Sequence, residues 1–462
     1  MGGVLKKMST QTIKVGIDFG TTNTSVAIMG DGSNVQVLPI DPLAVSPSSL
    51  RTMLYIERGG EIHIGQKAIN TYYEQNVGRM PKLVKQWVGE IDIVITEGGT
   101  VVLDAYTDVD ADAPGRLIHS LKSPLATDYQ GTTIFGKYIS LEDLIATFLT
   151  QLRERINAIL GSPVSSAVFG RPVNFVGANN DDDNDKAQAR LAIAARRAGF
   201  TDIDFELEPI AAGLSYGLEA ITDQRDRHIL VFDFGGGTLD TAVIHISPDQ
   251  TQQVISTGGI GIAGDHFDRA MVQKGLVNWF GGKVKWGEKH MELPSHLLHA
   301  LGEWQELQLL ATPPVLAFLN QAQRNCTDPM RLFALEDLIS KGYAYTLFEQ
   351  VENVKVALSK KRWAILDYSA GAISIWQPYT RSQFESYIAL ERRLITDMVI
   401  HTVAKAGLAP KNIDFVVRTG GSSSIPCFMQ LLADIFGSDR IIEQDLFTGV
   451  AAGLAIRAKN PI

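Results

Sequence analysis

Ile229-Leu230-Val231-Phe232-Asp233-Phe234-Gly235-Gly236-Gly237-Thr238-Leu239-Asp240 decides how the rest of the chain is read. Four apolar residues lead to an aspartate and a glycine-rich tip. Thr241-Ala242-Val243-Ile244-His245-Ile246 then resumes an apolar run, which predicts a hairpin. The same design stands near the start. Ile13-Lys14-Val15-Gly16-Ile17 alternates as a strand, Asp18-Phe19-Gly20-Thr21-Thr22-Asn23 turns, and Ser25-Val26-Ala27-Ile28 returns. Two hairpins sharing Asp-Phe-Gly and a Gly/Thr tip predict a duplication, with two similar lobes facing one ligand.

Between the hairpins, Leu141, Leu144, Ile145, Phe148, Leu149, Leu152, Ile156 and Ile159 fall on one helical face. Ser140 is its expected N-cap, with Asp143 at N3, and Gly161-Ser162-Pro163 its stop. A strand is expected at Ala167–Gly170, a helix over Asp185–Ala198, and another from Glu208. Strand–helix alternation on this scale indicates α/β layers. Residues 90–115 read as a peripheral insertion and 270–345 as a helical subdomain. The last third returns to α/β, with Phe415-Val416-Val417 leading to Gly420-Gly421-Ser422-Ser423-Ser424.

The composition is ordinary for a globular chain of 462 residues, 45% hydrophobic and 20% charged. A net charge of −9 argues against a mainly nucleic-acid-binding surface. Two distant cysteines, Cys326 and Cys427, point to a reducing compartment rather than a disulfide scaffold. No signal peptide or membrane-spanning run is read, so the expected setting is cytoplasmic, with no membrane partner.

The chemistry concentrates at the two tips. A nucleoside triphosphate with Mg²⁺ needs backbone N–H groups and hydroxyls around its phosphates. It also needs carboxylates for the hydrated metal, a cation for developing charge, and an acceptor to orient water. Asp18 with Gly20-Thr21-Thr22, and Asp233 with Gly235-Gly236-Gly237-Thr238, supply much of that set twice.

Taken in order, four motifs give the chain a specific resemblance over nearly all of residues 13–458. They are Gly16-Ile17-Asp18-Phe19-Gly20-Thr21-Thr22-Asn23, Glu208-Pro209-Ile210-Ala211-Ala212, Phe232-Asp233-Phe234-Gly235-Gly236-Gly237-Thr238-Leu239-Asp240 and Gly420-Gly421-Ser422. The chain resembles the nucleotide-binding domain of the seventy-kilodalton heat-shock chaperones, within the actin and sugar-kinase superfamily. The resemblance implies duplicated ribonuclease H-like (actin-like ATPase) lobes around a central nucleotide cleft. Lobe I would span 13–228 and lobe II 229–458.

Residue by residue, the resemblance implies that Asp18 and Asp233 hold Mg²⁺, largely through its waters. Thr21, Thr22 and Thr238, together with Asn23, would contact phosphate, and Glu208 would stand near the metal and attacking water. The family's lysine maps best onto Lys122 in Leu121-Lys122-Ser123-Pro124-Leu125, with Lys82 and Lys85 as rivals. Gly264, in Gly264-Asp265-His266-Phe267-Asp268, would be a second phosphate-side loop. Glu352, Lys355 and Ser359 would meet the nucleoside, as would Gly420, Gly421, Ser422 and Asp445. Ser424 departs from the family, which commonly stacks an arginine on the base there.

Three lookalikes are set aside. Gly131–Tyr138 imitates a P-loop, but Tyr138 cannot replace the small hydroxyl that meets Mg²⁺. Gly259–Gly264 has dinucleotide spacing without opening a βαβ unit. Asp181–Asp185 lacks the glycine and glutamate of a calcium loop and suits a helix N-terminus. The histidines form no zinc spacing.

The expectation is therefore an Mg²⁺-dependent ATPase cycling between ATP and ADP. It would be a chaperone-like switch with an unidentified protein partner or co-chaperone, lacking the family's substrate-binding domain. A nucleotide-sensing scaffold with little hydrolysis, or a small-molecule kinase, is the alternative.

Overall fold

The structure, a computed structural model, describes residues 13–30, 34–95, 99–220, 225–249, 251–443 and 448–459. Two sheets built to one plan carry the molecule. In the first, strand Lys14–Phe19 lies parallel to Ser166–Arg171, which lies parallel to Asp202–Leu207. On its other side it pairs antiparallel with Asn23–Met29, and that strand with Val35–Val37. In the second, Arg227–Phe234 runs parallel to Phe415–Thr419 and that strand parallel to Ile441–Glu443. Antiparallel Leu239–Ile246 and Gln252–Ile260 complete it. The same sequence of parallel and antiparallel neighbours occurs twice, so the fold is a duplicated, mixed α/β one.

The first sheet buries Val15, Ile17, Phe19, Phe148, Leu149 and Phe169 against helices Leu141–Leu160 and Asp181–Arg197. Ser140 caps the former as expected, its Oγ accepting from Asp143 N–H at 3.1 Å, and Gly161 closes it in the left-handed region. Ile159, expected on the apolar face, is instead substantially exposed. The second helix starts at Asp181, earlier than expected. Asn180 caps it, and the acidic run fills its first turn, where carboxylates oppose the helix dipole.

Each sheet also receives a helix from the other half of the chain. Glu208–Ala220 buries Ala211 and Ala212 with Val231, Ala242 and Val417 of the second sheet. Gly449–Lys459, at the far end of the sequence, packs on strands of the first. The two helices cross where a side chain is absent, since a Cβ on Gly453 would lie 1.6 Å from Ala211 O, and the last helix meets strand Lys14–Phe19 in the same way, a Cβ on Gly16 lying 2.3 Å from Ala455 N.

The insertion is a long hairpin, Leu83–Ile95 with Gly99–Asp110, beginning earlier than its composition suggested. The helical region extends to Tyr343–Lys360 and rests on hairpin Trp363–Ala370/Ile373–Thr380. The P-loop lookalike is a plain hairpin whose turn residues Phe135 and Gly136 both take positive φ. Among the described residues no helix is long and apolar enough to cross a membrane.

Candidate active site

The two hairpin tips close identically. Gly20 N–H donates to Asn23 O at 3.1 Å and Gly235 N–H to Thr238 O at 3.0 Å. In front of each tip the aspartate sits at an equivalent register, Asp18 opposite Ser25 and Asp233 opposite Asp240. The tips then meet. A Cβ on Gly236 would stand 2.2 Å from Thr22 Oγ1, so only glycine permits the approach.

Between them lies a cleft of about 430 Å³, a size suited to a small-molecule ligand. Every described residue on the expected list lines it: Asp18, Gly20, Thr21, Thr22, Asn23, Lys122, Glu208, Asp233, Gly235, Gly236, Gly237, Thr238, Gly264, Glu352, Lys355, Ser359, Gly420, Gly421 and Ser422. Asp445 falls outside the described residues.

Lys122 is buried and its Nζ donates to Glu208 Oε1. It precedes a single 3₁₀ turn, Ser123–Ala126, anchored by buried Leu121 and Leu125. Behind that turn the Arg190 guanidinium donates to the carbonyls of Pro124, Leu125, Thr127 and Tyr129. Lys82 and Lys85 are exposed, Lys85 on strand Leu83–Ile95 and Lys82 just before it, where its Nζ lies 3.6 Å from Asp112. Glu208 is held by its position as the first residue of its helix, directly after strand Asp202–Leu207.

Electrostatics mark this corner. Burial opposes the charged form of Lys122, yet Glu208 and Asp18 hold its pKa above the usual lysine value. Burial, with Glu208 nearby, pushes Asp18 up to about 7 despite Lys122. The same two causes raise Asp233 well above the carboxylate range and Asp240 to about 7. Asp265 reaches about 6 through burial. Carboxylates this desolvated, facing one ammonium, favour a bound cation, and a purely oxygen donor set suits magnesium. Among the described residues, no three ligand atoms of the cleft converge within 4.8 Å.

At the other wall, Lys355 Nζ is engaged by Asp268 Oδ2 at 2.6 Å and Gly264 O at 3.1 Å, so it braces the second loop. That loop leans on the hairpin tip, with Asp265 N–H donating to Gly236 O at 2.9 Å. Here the apparent dinucleotide spacing resolves into a loop and the helix Gly264–Met271. Glu352 pairs with Arg51 of the first half at 2.7 Å.

Sequence reasoning missed Asp240, Asp265, Asp268, Arg51 and Arg190. Asp240 was legible in principle as the register mate of Asp233. The others have no local signal, since their partners lie far away in the chain.

The Hsp70 protein family model matches residues 106–290 and 337–459. The chaperone protein DnaK of Thermosipho melanesiensis is 24% identical over 445 residues, covering 96% of this chain and 58% of that protein. The stromal 70 kDa heat shock-related protein of Pisum sativum chloroplasts is 26% identical over 451 residues, covering 96% and 52%. The DnaK protein of Cyanidioschyzon merolae is 24% identical over 455, covering 96% and 61%. The chain thus spans between about half and three fifths of the length of these relatives.

Proposed function

The chain belongs to the Hsp70 protein family, and on that footing we propose that it binds ATP with Mg²⁺ in this cleft and hydrolyses it to ADP and phosphate. The observation that carries this reading is the buried group of Asp18, Lys122, Glu208 and Asp233 set between two matching glycine–threonine tips. Asp18 and Asp233 would hold magnesium, which would neutralise phosphate charge. The amides and hydroxyls of Gly20–Thr22 and Gly235–Thr238 hold the phosphates. Glu208 accepts a hydrogen bond from the attacking water, and Lys122 stabilises charge on the transferring group. Gly420, Gly421, Ser422, Glu352, Lys355, Ser359 and Asp445 bound the nucleoside side.

Lobe I (13–228) and lobe II (229–458) close around ATP and relax around ADP, the two states of a chaperone-like switch. An unidentified protein partner or co-chaperone reads that switch. Free Cys326 and Cys427 support a reducing, cytoplasmic setting. Single-turnover incubation with ATP and Mg²⁺, with bound ADP and phosphate quantified, tests the reading. Bound ATP recovered intact by well-folded protein would overturn hydrolysis.

A further inference from the structure

Lys122 and Glu208 meet from two segments of unlike construction. Glu208 follows directly on strand Asp202–Leu207, which is paired along its length with Ser166–Arg171. Lys122 stands in residues 120–130, between strand Gly115–His119 and the hairpin that begins at Gly131. The regular structure of that stretch is one 3₁₀ turn, Ser123–Ala126. Ser120 enters it at a φ of 51°, a left-handed conformation that is costly for a residue with a side chain. Such a segment does not fix a buried ammonium by itself.

Its brace comes from helix Asp181–Arg197, the element that leads into strand Asp202–Leu207 and so to Glu208. Arg190 on that helix is buried, and all three of its guanidinium nitrogens are engaged. Nη1 is shared among Pro124 O at 3.4 Å, Leu125 O at 3.3 Å and Thr127 O at 3.2 Å. Nη2 donates to Tyr129 O at 2.8 Å. Nε donates at 2.5 Å to Oε1 of Glu142, in the first turn of helix Leu141–Leu160, which offsets the buried charge.

Carbonyls at the end of a short turn find no amide within it, and buried ones need a donor from elsewhere. One planar fork supplies four residues at once, which the protons of a lysine, all on one atom, would not. Both members of the ion pair are thereby referred to one unit. Glu208 is tied to the helix through the chain, and Lys122 through the guanidinium.

We propose that Arg190 is a positioning residue for hydrolysis. Through the turn Ser123–Ala126 it sets the place of the Lys122 ammonium against Glu208, and so against the transferring phosphate. This rests on the ATPase reading above and deepens it. Arg190 is not among the residues lining the cleft, so it acts through Lys122.

The test is a double-mutant cycle in single-turnover ATP hydrolysis with Mg²⁺ on the full chain. Arg190→Lys is expected to slow hydrolysis about tenfold while ATP affinity stays within about twofold, as for a displaced reacting group. In a Lys122→Ala background the same change is expected to slow it less than about twofold, because the group it positions is gone. Glu142→Ala, which removes the anchor of the brace, is expected to slow hydrolysis about threefold with the same dependence on Lys122. It carries the test where Arg190→Lys fails to fold. Equal slowing with and without Lys122, slowing matched by lost ATP affinity, or an unchanged rate makes Arg190 structural and overturns the proposal alone. No hydrolysis by the unaltered chain, or an unaltered rate in Lys122→Ala, overturns the reading of the site and the brace with it.

Discussion

Lys122 and Glu208, 86 positions apart in sequence, form a hydrogen-bonded ion pair at the floor of the cleft, both nearly inaccessible to water. A pair this buried is poor value for stability, since removing two charges from water costs about as much as their attraction returns. Its placement between Asp18 and Asp233 gives it a chemical purpose. Glu208 and Asp18 keep the ammonium charged, and the ammonium limits repulsion among the carboxylates.

Lys122→Ala is expected to lower single-turnover ATP hydrolysis at least about 100-fold, the usual scale for removing one group that meets transition-state charge. ATP affinity should change much less, because the glycine and threonine tips are intact. Rapid-quench kinetics beside equilibrium titration separate the two quantities. Equal loss of both would place Lys122 in binding rather than in the chemical step.

Metal-free protein should pay for its buried carboxylates as pH rises. Asp18 and Asp240 are held up to about 7, far above the ordinary 3.8. The folded state therefore keeps protons that the unfolded chain releases. Their stabilising contribution is complete below about pH 4 and is lost as pH climbs through 7. His119, which burial holds down to about 4, and His266, also lowered, act in the opposite sense over part of that window. The decisive measurement is thus the difference between wild type and Asp18→Asn. Without metal, the variant should melt about 3 °C higher at pH 8 and match wild type near pH 4.5. It should also lose the Mg²⁺-dependent part of nucleotide stabilisation. A constant difference across this range would place the raised pKa elsewhere.

Helix Tyr343–Lys360, whose Glu352 lines the cleft, is tied to the first half of the chain. Arg51 pairs with Glu352 at 2.7 Å, and Tyr73 Oη donates to Glu349 Oε2 at 2.5 Å. Both acceptors lie on helix Tyr343–Lys360. If opening breaks these contacts, Arg51→Ala combined with Tyr73→Phe should speed release of bound ADP about tenfold, given one part-buried ion pair and one hydrogen bond to a charged group. Stopped-flow release of labelled ADP reads this directly. An unaltered rate would mean that the lobes part elsewhere.

Gly453→Ala should be among the most damaging small substitutions in the chain. Its methyl group would occupy space held by Ala211 O, 1.6 Å away, and backbone cannot swing aside as a side chain can. A loss of about 3 kcal/mol is expected. The urea midpoint checks it; Gly261→Ala, whose added Cβ meets nothing within 4 Å, serves as the control.

Asp18 and Asp233 were legible as a pair because the hairpin is local. A strand, a tight tip and a returning strand all fall within one short stretch, Lys14–Met29 or Arg227–Ile246, so periodicity and glycine placement report them. The register confirms the match, with each aspartate seven residues before its cross-strand neighbour, Ser25 or Asp240. The cap at Ser140 and the stop at Gly161 were legible for the same reason. Lys122 was not distinguishable from Lys82 and Lys85 by any local property. A lysine flanked by leucine and serine carries no mark of burial.

The sequence by itself determined the duplication, the tips and the acidic residues behind them, since each depends on residues near in the chain and on hydrogen bonds that close within one turn. Tertiary structure alone decided which lysine enters the cleft, that Lys355 is bound to Asp268, and that Glu352 reaches Arg51. It also decided that the last helix returns to pack on the first sheet. These depend on contacts between segments tens to hundreds of residues apart. Their energies come from burial and charge pairing that exist only once the lobes have assembled.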